Sequence, residues 1–202
     1  MKPVPAPIDY LNPRVPPGIA RVKMPVVDAM PSTLVGYGHL VDDPGGCRIE
    51  IVRWPSLGTR PVDAGTGDQG GTAGGGFVSE WRGDVLYGRT EAVDGHYILA
   101  YADPPELARE NHTQRPRRMM LWHANYHPDG GQLFFSLERR SFYVPLARPG
   151  DDVTPQKFVC FRFGGDQGLY IHPGVWHEGV FGSSGTQRSF HKQGGGDARA
   201  LG

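Results

Sequence analysis

Tyr170-Ile171-His172-Pro173-Gly174-Val175-Trp176-His177 sets a proline-glycine turn between two histidines and beside a tryptophan. A glycine-rich stretch with Gly164, Gly165 and Gly168 precedes it. The turn interrupts what would otherwise be one strand. His172 and His177, five residues apart, would face opposite ways on an unbroken strand, but the break allows both to reach one site. Upstream lies His123-Ala124-Asn125-Tyr126-His127-Pro128-Asp129-Gly130-Gly131-Gln132. Positions four apart on a strand share a face, so His123 and His127 are expected to point the same way. Gln132 follows a turn and would enter from the neighbouring strand.

The surrounding sequence predicts an all-β domain with little helix. Thirty glycines and nineteen prolines favour many turns between short segments. Arg48 to Trp54 alternates polar and apolar residues, as a half-buried strand does. Phe77 to Arg89 reads as two strands about a Gly83-Asp84 turn. Further strands are predicted at His96 to Tyr101, Arg117 to Tyr126, Leu133 to Leu137, Phe142 to Leu146, Lys157 to Phe163, Gly168 to His172, Gly179 to Phe181 and Arg188 to Lys192. Such spacing predicts an antiparallel sandwich or barrel. The glycine-rich stretch from Pro61 to Gly76 lacks the lysine and hydroxyl residue of a phosphate loop and is expected to be a flexible surface loop. Residues 1–19 read as a proline-rich arm, 20–194 as the domain and 195–202 as a flexible tail.

Composition narrows the function. The chain has 202 residues and a formal net charge of zero, so no basic surface for nucleic acid is expected. No run approaches the ~18 apolar residues that a spanning helix needs. The opening residues carry no apolar segment of a secretion signal. Two cysteines, Cys47 and Cys160, are too few for a disulfide framework. A cytoplasmic protein with reduced thiols, acting on a small molecule without nucleic acid or membrane partners, is the expectation.

The two histidine segments resemble the halves of a cupin site. His127-Pro128, the glycine pair, Gln132 and Phe134, then Tyr170, His172, Trp176 and His177, look like the ureidoglycolate lyase family of that superfamily, over roughly Phe77 to Phe190. The resemblance implies an antiparallel cupin-type β-barrel (jelly roll), commonly paired as a homodimer. It also implies a lyase of purine catabolism that splits ureidoglycolate into glyoxylate and urea. This chain departs from the family's Glu-Arg before the His-Pro, where Asn125 and Tyr126 stand, and from its late acidic residue, which falls near His191 and Lys192.

Roles follow for particular residues. His123, His127, Gln132 and His177 are candidate ligands for a divalent metal such as Ni, Zn, Mn or Fe, or else line a metal-free polar pocket. His172, His177 and Glu80 are candidate proton carriers. Arg117 (with Arg89 as a second choice), Tyr126, Trp176 and Lys192 are candidate contacts for a small carboxylic acid. A base would take the hydroxyl proton, the carbon–nitrogen bond would break and urea would leave. The competing readings are a non-catalytic small-molecule-binding cupin and an iron-dependent cupin dioxygenase.

Overall fold

The computed structural model describes residues 18–50, 72–91, 95–103, 118–128, 130–182, 185–194 and 199–201. Among them the fold is nearly all β, and its one helical element is a single 3₁₀ turn at Pro155–Lys157. None of the described segments is a helix long and apolar enough to cross a membrane.

Two sheets face each other. The first runs β1 (Val26–Asp28), β10 (Val159–Phe163), β9 (Phe142–Ala147), β12 (Trp176–His177), β7 (Ala124–Tyr126) and β15 (Arg199–Leu201), with β13 (Phe181–Gly182) also on β9. The second runs β2 (Gly38–Val41), β11 (Gly168–Ile171), β8 (Gln132–Ser136), β14 (Thr186–Gly194), β3 (Thr72–Arg82), β4 (Val85–Thr90), β5 (Gly95–Ala102) and β6 (Met119–Met120). Every pairing is antiparallel except β1 with β10, which is parallel. The core between the sheets holds Phe77, Leu86, Leu99, Phe142, Phe161, Phe163 and Leu169, each almost wholly buried. At about 25 cal/mol per Å² of apolar surface, these side chains supply the main driving force for closing one sheet on the other.

The β3–β4 hairpin turns at Gly83-Asp84 as its sequence predicts, with Gly83 at a φ of 62° that suits a residue lacking Cβ. Three expectations are corrected. Gly74 to Gly76 belong to β3 rather than to a loop, because nine consecutive residues of β14 pair with that strand; residues 61–71 lie outside the described residues. The segment predicted as one strand from Arg117 to Tyr126 is broken into β6 and β7, which belong to different sheets, and Leu121 to His123 make the crossing. Arg48 to Glu50 are not in a strand, and the rest of that predicted strand is outside the described residues. Nearly all of the proline-rich arm is also outside them. Cys47 and Cys160 are free, and burial pushes the Cys160 thiol up to about 12, as befits a small apolar core residue.

Candidate functional site

The Pro173-Gly174 turn is anchored to the first histidine segment. Gly174, at a φ of 78°, donates its N–H to the His127 carbonyl at 2.7 Å. Val175 N–H closes the turn on the His172 carbonyl at 3.2 Å. The chain then enters β12, where His177 sits opposite Leu146 on one side and Asn125 on the other. Alternation sends Trp176 and His177 to opposite faces. Trp176 packs on Tyr126 with ring centroids 4.4 Å apart and donates its indole N–H to Gly150 O at 2.9 Å.

His177 turns into a buried polar cluster. Its Nδ1 lies 2.8 Å from Val175 O, and its ring stacks on His127 with centroids 5.4 Å apart. His127 Nε2 meets the Gln132 side-chain amide at 2.5 Å. Gln132 is in register with Gln193 across β8 and β14, and its Nε2 donates to Gln193 Oε1 at 3.0 Å. His191, two residues earlier on the same face of β14, places Nδ1 3.0 Å from Thr90 Oγ1. Its ring stacks parallel on Phe134 at 4.5 Å. All of these polar residues are at most 6 % exposed, so the cluster is isolated from bulk water.

The electrostatics follow from that isolation. Burial, then the neighbouring His127, pushes His177 down to about 3; the Val175 hydrogen bond only partly opposes this. Burial and His127 push His191 down to about 3 as well. Both rings are therefore neutral near pH 7. A carbonyl can only accept, so the His177 proton must sit on Nδ1. Its Nε2 then carries a lone pair, the form a base requires.

A second polar group lies alongside. Glu178 is fully buried, and its Oε2 is 2.8 Å from His123 Nε2. Its Oε1 accepts from Gly179 N–H at 2.8 Å. β12 ends at His177, so strand alternation no longer governs Glu178 and it turns into the interior beside His123. His123 and His127 are both buried, as their spacing predicts, yet each takes different partners because β7 spans only the three residues between them.

The remaining candidates separate from this cluster. His172 is half-buried and groups with His39 and Tyr170, at centroid distances of 5.6 and 5.7 Å. Glu80 lies on the outer face of β3, salt-bridged to Arg82 at 2.7 Å with its side chain 36 % exposed; Phe77 and Ser79 take the inward positions. Lys192 alternates away from His191 and reaches Cys47 O at 3.5 Å. Tyr126 and Trp176 are core partners of each other. Arg89 is exposed, and Arg117 lies outside the described residues. Among the described residues no three His, Cys, Asp or Glu side chains are gathered so as to hold a metal ion. Of the expected metal set, His127, Gln132 and His177 come together, while His123 turns to Glu178.

His191, Gln193, Thr90 and Glu178 are the members that the motif reading missed. One sequence signal was available for two of them: Gln187, Ser189, His191 and Gln193 share one parity of a strand, a polar row where a core row is usual.

The sequence model described as ureidoglycolate lyase matches residues 110–191. A ureidoglycolate lyase of Stutzerimonas stutzeri (strain A1501) is 43 % identical over 54 residues, 27 % of this chain and 32 % of that protein. One of Azotobacter vinelandii (strain DJ / ATCC BAA-1303) is 39 % identical over 54 residues, with the same coverage of each chain. The match thus spans about a third of the length of these curated relatives. Over residues 110–191, the stretch that carries His123, His127, Gln132, His177, Glu178 and His191, this chain is similar to the ureidoglycolate lyase family.

Proposed function

We propose that this chain is a lyase that cleaves the carbon–nitrogen bond of a small hydroxy- or ureido-acid, with His177 as the base. The observation that carries the reading is the Nδ1–H···O contact to Val175, which leaves a buried, neutral imidazole with its Nε2 lone pair in the cluster. The family resemblance supplies the substrate class. Nε2 takes the substrate's hydroxyl proton, the oxygen's electron pair forms the carbonyl, and the carbon–nitrogen pair leaves with the nitrogen. The imidazolium then returns the proton to that nitrogen. A ring held near 3 is a weak base when the site is empty of charge. A substrate carboxylate arriving in the cluster favours the imidazolium and raises His177 towards working range. Gln132 and Gln193 hold His127 in place and offer amide dipoles to the substrate. The named cluster contains no guanidinium or ammonium group, so Arg117 is the proposed grip on the carboxylate.

Purified protein incubated with ureidoglycolate should release glyoxylate and urea. His177→Ala should lower turnover by about 10²–10⁴-fold, the usual worth of a positioned base, with the near-UV spectrum of the fold retained. A folded His177→Ala variant with undiminished turnover refutes His177 as the base.

A further inference from the structure

β14 reverses the usual polarity of a strand. Its buried positions are Gln187, Ser189, His191 and Gln193, whereas Phe190 on the other face is only half-buried. Buried polar groups are destabilising unless they are hydrogen-bonded. Gln187 bonds through Nε2 to Arg140 O at 3.2 Å while its Oε1 is left unmatched among the described residues, and Gln193 bonds through Oε1 to Gln132. His191 is satisfied on one side only. Its Nδ1 meets Thr90 Oγ1, but Nε2 makes no hydrogen bond among the described residues although the residue is 3 % exposed. The ring is held between Phe134, parallel at 4.5 Å, and Phe77, edge-on at 6.1 Å. The β3 position opposite is Gly75, which has no side chain to cover it. A rigidly held ring with one unmatched, buried nitrogen is a ligand contact in waiting.

His177 and His191 differ in what their Nδ1 atoms meet. The Val175 carbonyl can only accept, which fixes the proton of His177 on Nδ1. The Thr90 hydroxyl can donate as well as accept, so its contact with Nδ1 allows the proton of His191 to sit on Nε2. We propose that His191 contacts the substrate of this site, held by Thr90 as the Nε2–H tautomer, so that its neutral ring donates a hydrogen bond to the substrate oxygen that gains charge. The use of the site rests on the lyase reading above; the tautomer does not. The two histidines are then complementary: a bare Nε2 to take a proton, and an Nε2–H to stabilise the charge. A neutral donor suits this setting, because charging the buried ring would cost its desolvation and Thr90, the partner of its Nδ1, offers no counter-charge. His191 is the ligand-contacting group, and Thr90 is a positioning residue that acts through it.

Long-range ¹H–¹⁵N correlation on the labelled full chain at pH 7 reads both tautomers directly. His191 should carry its proton on Nε2 and His177 on Nδ1. Thr90→Val keeps the shape and removes the hydroxyl. It should shift His191 away from the Nε2–H form and lower kcat on ureidoglycolate by about tenfold or more, as for a lost preorganised donor, with KM changed much less. Thr90→Ser should restore both. Added glyoxylate should move the His191 Nε2 resonance. An Nδ1–H tautomer for His191 in the unaltered protein, or no tautomer change in Thr90→Val, overturns the proposal. So does a glyoxylate titration that leaves His191 unmoved. If the tautomers and the glyoxylate response are as stated but no acid is turned over, the lyase reading fails while the placement of His191 stands.

Discussion

His177 and His191 make the stability of the protein depend on acid. Each ordinarily titrates at 6.5, and burial brings both down to about 3. Between those values the unfolded chain binds protons that the folded protein does not. Their contribution to stability is therefore fully present above pH 6.5 and is lost progressively as the pH falls towards 3. The urea midpoint should drop between pH 7 and pH 4.5, and the drop should be smaller in His177→Gln, which has one buried imidazole fewer. An equal drop in both proteins would show that His177 does not titrate as its burial dictates. At this scale the sequence was partly transparent. His177 could be found because a proline-glycine turn aims the residue that follows it. His191 could not, because its importance arises from neighbours far along the chain: Thr90, Phe77 and Phe134 meet it only when β14 lies between β3 and β8. Glu178 was hidden by the opposite fault. Strand alternation predicts that it turns away from His177's side, but β12 stops one residue too early for alternation to apply.

Among elements, β14 and β8 are fastened by a buried amide pair. Gln132 donates to Gln193 at 3.0 Å, in register across the strands. Removing one partner strands the other and should cost about 1–3 kcal/mol, whereas replacing both by apolar residues of similar shape is close to neutral. Gln193→Leu and Gln132→Leu should each lower the denaturation midpoint, and the double variant should lose less than the sum. Strict additivity would mean that the pair is not coupled. Hairpins were legible in the sequence because their information is local: Gly83-Asp84 turns β3 into β4. The extension of β3 back to Thr72 was not, since a run of glycines carries no alternation and its pairing is dictated by β14. The break between β6 and β7 was equally silent, because Met119 to Tyr126 has apolar residues on both parities.

For the molecule as a whole, that break is where the two sheets are joined. β6 belongs to one sheet and β7 to the other, and Leu121 to His123 make the corner. Trp122 donates its indole N–H to Ile98 O on β5 at 3.3 Å, and its ring lies 4.4 Å from that of His123. His123 in turn meets Glu178, which follows β12, the neighbour of β7 in the first sheet. The next residue, Gly179, lies against β5 and β3: a Cβ there would approach Leu99 Cδ2 to 2.7 Å and Phe77 Cζ to 2.9 Å. The His123–Glu178 contact thus ties the corner to β12, the strand beside β7, at the point where Gly179 meets the facing sheet. Removing one partner of a buried polar contact strands the other and costs about 1–3 kcal/mol, while replacing both partners by apolar groups of the same shape can be nearly neutral. Glu178→Ala should therefore destabilise the whole fold by that amount, and His123→Leu combined with Glu178→Leu should recover much of the loss. Hydrogen exchange locates the effect: Glu178→Ala should speed exchange in β7, which follows the corner, and in β5, which Trp122 meets, more than in β9 and β10. Uniform acceleration across both sheets, or a loss below about 1 kcal/mol, would show that the corner closes without this contact.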